Sequence, residues 1–198
     1  MRKLIHPFIL TFSIINTMFG QTLEIPNKEN QIAMAVLAGP AELRAEATVM
    51  GFDADGNQVI IRKGTNELIC RSDDPNKSGF ECVCYNQDVE PFMARGRALK
   101  KEGKSSKEIF NIREQEAKDG KLSMPNKPST LHILYGKEAS FNSETNEIEN
   151  ASYRYVIYMP WATQESTGLP LKPNGVGHPW LMNPGTHRAH IMVTPAPN

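Results

Sequence analysis

His178, His187 and His190 fall within thirteen residues near the C-terminus, in a chain with five histidines in all. An imidazole titrates near neutral pH and can take a proton from water or a substrate. His190 and His187 are therefore candidate general bases of a hydrolase with a water nucleophile. Methionines punctuate the same region. With residues 178–182 extended, a two-residue period sets His178, Trp180 and Met182 on one face, and the same period joins His190 to Met192. If those segments pair across the turn at 183–186, imidazoles and thioethers converge. That is ligand chemistry for copper, with zinc as the imidazole alternative. It makes His178, Met182, His190 and Met192 a candidate metal set. A plainer reading competes with it. Trp and Met on a strand ordinarily fill a core, His187 beside Arg188 would face water, and His190 would donate to a backbone carbonyl.

Cys70, Cys82 and Cys84 are the only cysteines. In an oxidising compartment two of them are expected to pair. Cys82 with Cys84 would close a strained ring, so the expected bond joins Cys70 to Cys82 or Cys84. Its loop of about a dozen residues is worth roughly 3 kcal/mol in the chain-entropy picture. The third cysteine is then a free thiol that could add a soft ligand. As a thiolate metal site, Cys-x-Cys lacks the second pair that would complete it.

Aromatic residues supply a third constellation. On an extended segment Tyr153, Tyr155, Ile157 and Met159 share one face and Arg154, Val156 and Tyr158 the other. With Trp161 and the Pro/Gly-rich stretch beyond, Tyr158, Trp161 and Trp180 are candidate ligand-binding residues lining a groove for a sugar or peptide. His132, alternating with Leu131 and Ile133, reads as a partly buried hydrogen-bonding residue. Nucleophile signatures are missing: the chain has no Gly-x-Ser-x-Gly, Ser-x-x-Lys or His-Glu-x-x-His. Asp53-Ala54-Asp55-Gly56-Asn57 opens like a calcium loop. Lys63 and Gly64 stand where its bidentate carboxylate should be, so the string reads as a hairpin turn.

The elements that must position these groups follow from periodicity. Ile32, Ala33, Val36 and Leu37 give a helical pattern broken at Gly39-Pro40, and Pro40 suits the first turn of a second short helix to Glu46. Residues 48–52, 59–61 and 68–70 read as three strands of a meander, with turns at Asp55-Gly56 and 64–66. Asp88 can cap a helix carrying Val89, Phe92, Met93 and Leu99. Ser105 with Glu108 forms a capping box for another that ends at Gly120. The cationic run from Arg95 to Lys104 reads as a solvated helix face rather than a binding patch. Strands follow at 130–135 and 153–159 around a polar insertion, then at 180–182 and 189–194 after a long loop from Pro160 to His178. Loops of that length are often functional. Helix, meander, helices, then strands spell α+β: a mainly antiparallel sheet with two helices packed on it, in a single domain.

The 198 residues carry 22 Lys plus Arg against 22 Asp plus Glu. Zero net charge argues against a nucleic-acid partner, which needs a basic surface. The 39% of hydrophobic residues suffice for one core and exceed what a disordered chain carries. Arg2 and Lys3 precede an uncharged, partly apolar run to Leu23, the pattern of a signal peptide. Residues 1–20 are read as that segment, the only membrane contact expected, and 21–198 as one secreted or periplasmic α+β domain. Without Arg2 and Lys3, 20 cationic residues face 22 acidic ones, a net charge of −2. The chain reads as a small-ligand-binding or structural domain, with a small ligand as a candidate partner.

Four strings carry a resemblance: Arg62-Lys63-Gly64-Thr65-Asn66 followed by Cys70, the run Glu90 to Arg97, Glu165 to Pro170, and Pro184-Gly185-Thr186 followed by Ala189-His190-Ile191-Met192. They resemble a family of uncharacterised secreted bacterial proteins. The resemblance implies export and one compact domain, and implies no chemistry.

Overall fold

The computed structural model describes residues 24–196, and the expected export segment lies outside the described residues. Helix α1 (Lys28–Val36) starts where the Asn27 side chain accepts the Asn30 N–H at 2.8 Å, and it buries Met34 and Ala35. Pro40 opens only a single 3-10 turn, Ala41–Leu43, where a longer helix was expected.

Strands β1 (Thr48–Phe52) and β2 (Gln58–Arg62) form the expected hairpin. Its turn uses the Asp53 carboxylate to accept the N–H groups of Asp55 at 3.0 Å and Asn57 at 2.8 Å, the Asx-turn role of aspartate. Next come β3 (Leu68–Arg71) and β4 (Phe80–Asn86), helices α2 (Glu90–Lys101) and α3 (Ser106–Lys118), and β5 (Ser129–Gly136). The polar insertion folds into its own hairpin, β6 (Ser140–Asn142) with β7 (Glu147–Glu149). Then follow β8 (Ser152–Tyr158), the one-turn α4 (Gln164–Thr167) inside the long loop, β9 (Trp180–Met182) and β10 (His190–Val193).

Eight strands make one sheet in the order β2-β1-β3-β4-β5-β8-β10-β9, antiparallel throughout except for β1 with β3. The expected meander is thus corrected: β3 leaves β2 and lies parallel to β1 on its far side. The string Arg62 to Asn66 makes that crossing over the start of β1. Thr65 and Asn66 N–H groups donate to Glu46 O at 2.9 and 3.3 Å, Gly64 N–H to Thr48 Oγ1 at 3.0 Å, and Arg62 Nε to Ala47 O at 3.0 Å. A Cβ at Gly64 would sit 2.2 Å from Glu46 O, so only glycine passes there.

Two helices were expected on the sheet; among the described residues four α-helices are present, and three of them cover its two faces. α1 covers β1, β3 and β4 on one face, burying Val49, Leu68, Cys70, Cys82 and Cys84. α2 and α3 lie on the other, over Val83, Tyr85, Leu131, Val156 and Tyr158. The register sets Ile69, Tyr85, Leu131, Val156, Met192 and Trp180 in one row across that second face. The disulfide joins Cys70 to Cys84, directly opposite each other on β3 and β4, and Cys82 remains free and buried. Burial, with Asp73 nearby, pushes the Cys82 thiol pKa well up, so it stays protonated and unreactive.

Candidate ligand-binding site

The run Glu90 to Arg97 is built to hold α2 between the sheet and α3. The Glu90 carboxylate accepts the Tyr85 hydroxyl at 2.6 Å and pairs with Arg97 at 2.5 Å. Arg95 forks onto Glu116 of α3 through three contacts of 2.7–3.1 Å. Gly96 leaves room for Arg113: a Cβ there would lie 2.8 Å from Arg113 Nη1. The α2 start departs from expectation. Asn86, not Asp88, is the cap, and it caps a 3-10 turn (Gln87–Val89) by accepting the Asp88 N–H.

Arg113 is the unusual residue that this packing creates. It is 8% exposed, its guanidinium lies 3.8 Å from the Phe92 ring centroid, and Nη1 donates to Phe92 O at 3.1 Å. Among the described residues no carboxylate pairs with it, and Nε has no partner. Burial, with the charge of Arg188, holds its pKa down at about 10. Arg188 and Arg71 likewise hide an unpartnered Nε. Their positions in the sequence, one mid-helix, one on a strand and one in a turn, gave no signal of this; the arginines were invisible to spacing arguments.

Several residues singled out in the sequence gather against the same helices. His187 has no exposed surface. Its Nδ1 lies 3.3 Å from Glu114 Oε2, and its ring meets Phe110 and Phe92 edge-on at 4.8 and 5.7 Å. It is therefore not the water-facing residue that its neighbour Arg188 suggested. His190 is 3% exposed with Nδ1 2.7 Å from Arg188 O, which requires that nitrogen to carry the proton and donate. Burial holds both histidines below the usual imidazole range. Tyr158 stands opposite His190, ring centroids 5.5 Å apart, and tilts against Phe92 at 5.4 Å.

The metal candidates separate. His190 pairs directly with Met182 and shares its face with Met192, which pairs with Trp180. His178 lies outside the strand, in a turn where its N–H donates to Gly175 O at 3.3 Å; the extended run from 178 does not form. Among the described residues no group of three or more His, Cys, Asp or Glu side chains is placed to hold a metal. His132 lies on the opposite sheet face, Nδ1 3.4 Å from the Tyr153 hydroxyl and its ring 5.6 Å from Tyr155.

Two open clefts bear on ligand binding. The first, of ≈ 620 Å³, runs between the 124–128 loop and residues 159–166. Trp161 lines it, 40% exposed and held at φ 69°, while Trp180 lies elsewhere. The second, of ≈ 780 Å³, lies between α2, the start of α3 and the sheet, with Met50 and Arg71 side by side on its floor. Arg113 and Arg188 line it as well, together with Arg97, Lys100 and Lys101 of the run expected to be a solvated face.

Comparison of the chain with family models, with curated proteins and with solved structures finds no match.

Proposed function

We propose that this protein is an exported small-ligand-binding domain whose ligand enters the cleft between the α2–α3 hairpin and the sheet. One observation carries the reading: a buried, positively charged side chain without a carboxylate partner, Arg113, lines an open cleft large enough for a metabolite. Binding sites recruit groups that the fold alone leaves uncompensated. Export is supported by the signal-like first twenty residues and by a disulfide, which persists in oxidising compartments. Binding is favoured over turnover because His187 and His190, the candidate bases, are enclosed, and a base must reach the proton it removes. The test is native mass spectrometry of mature protein taken from the exported fraction. A co-purifying small molecule, lost when Ala98→Trp fills the cleft, is the expected result. A ligand that the substitution leaves in place would sink the reading.

A second reading rests on Met182, His190 and Met192 sharing one face of adjoining strands. That is a soft donor set suited to copper, with zinc less so. Metal analysis of untagged protein purified without chelator separates the two. Stoichiometric copper lost in His190→Ala would favour a copper-binding protein, and a metal-free protein indifferent to added copper and zinc would favour the cleft.

A further inference from the structure

We infer that the cleft takes an oxyanion of two or more negative charges, a small molecule bearing phosphate or carboxylate groups, held by Arg71, Arg113 and Arg188. The inference rests on the reading of the cleft as a binding site and names its ligand chemistry.

The charges lining the cleft do not balance. Seven of the lining residues are Lys or Arg, and the one lining carboxylate, Asp74, already pairs with Lys77 at 3.2 Å. Arg97 is taken by Glu90. That leaves Arg71, Lys100, Lys101, Arg113 and Arg188, none of which makes an ion pair among the described residues. A monoanion would balance only a fraction of this charge. A chain of nearly neutral overall charge that concentrates unpaired cations in one cleft creates a local field for anions.

Burial sharpens the imbalance. A solvated lysine cluster would need no partner, but Arg113 is more than nine-tenths buried and half-buried Arg188 repels it. A guanidinium kept out of water beside a second cation is costly unless something negative joins it. Guanidinium forks match the geometry of phosphate and carboxylate oxygens. The Phe92 ring and carbonyl fix one face of Arg113, and Gly96 lets α2 pass close above it. The side chain is therefore held in one orientation before a ligand arrives.

Pyrophosphate and citrate, titrated separately into the mature protein by calorimetry at ionic strength matched with potassium chloride, test this. One saturable site is expected for at least one of them. Whichever binds tells phosphate from carboxylate ligands. Arg71→Gln and Arg188→Gln should each weaken binding on the order of tenfold or more, while Lys107→Gln, outside the cleft, should not. Melting temperatures of the two arginine variants verify that they fold. Binding of neither anion, or binding that both cleft variants leave unchanged, overturns the inference. If a neutral molecule co-purifies and Ala98→Trp releases it, while neither anion binds, the charge assignment falls and the binding cleft stands.

Discussion

Arg113 carries a cost that apolar residues in the same place would not. Replacing a buried, unpaired charge by an apolar side chain of similar length removes its desolvation penalty. Arg113→Met is therefore expected to stabilise the ligand-free protein by about 1 kcal/mol, read from urea midpoints, while abolishing ligand binding. A destabilised variant would mean that the bond to Phe92 O and the stacking on its ring outweigh the buried charge. The enclosed histidines make a second residue-scale prediction. Burial lowers the pKa of His187 and His190 in the fold, whereas the unfolded chain takes up their protons below pH about 6.5. Below that value the unfolded state binds more protons, so stability is full above it and falls as pH drops. The slope is at most about 1.4 kcal/mol per pH unit for each histidine. Urea midpoints between pH 7.5 and 5 should decline in the native chain and flatten in a His187→Gln, His190→Gln double variant. An unchanged slope would show that other groups set it.

At the scale of elements, the crossing of Gly64 over β1 decides the sheet order. Gly64→Ala forces a Cβ into Glu46 O, and backbone rather than a flexible side chain must yield. A loss of about 2–3 kcal/mol is expected in chemical denaturation, against about 1 kcal/mol for Gly103→Ala, which has open space but a left-handed backbone. Gly64 is not among the left-handed glycines, so a loss no larger than that at Gly103 would show that the crossing yields readily to a Cβ. This crossing also shows why sequence reading stopped where it did. Strand limits at 48–52, the Asp53 turn and the Ser105–Glu108 capping box are local, each set by residues a few positions apart, and each was legible. Whether β3 returns beside β2 or passes to β1 is settled by bonds from residues 62–66 back to residues 44–48. No periodicity encodes such contacts. The site divides the same way. His187, His190 and Tyr158 stood out by type and spacing, yet none of them lines the cleft. Arg113 carries no signal in its own helix; only the fold brings Gly96 and Phe92 against it.

The molecule as a whole is a sheet with a separate core on each face. α1 seals the end built from β1, β3 and β4, and the α2–α3 hairpin covers the other side. The cleft proposed for the ligand opens where the hairpin meets β1 and β3, and its floor residues Met50 and Arg71 lie on the hairpin's side of the sheet. The Cys70–Cys84 bond joins β3 to β4 on the α1 side of the sheet, opposite the cleft. Removing it with Cys70→Ser should cost about 3 kcal/mol in denaturant. Equal melting temperatures with and without reductant would defeat that expectation. The bond also has a consequence for how the protein survives digestion. The segment it encloses carries an exposed Lys77 at the tip of the 72–79 loop, the kind of site where proteases nick a folded domain. Trypsin cutting after Lys77 would divide the polypeptide but not the molecule. Both pieces would travel as one band on a non-reducing gel and part only when the disulfide is reduced.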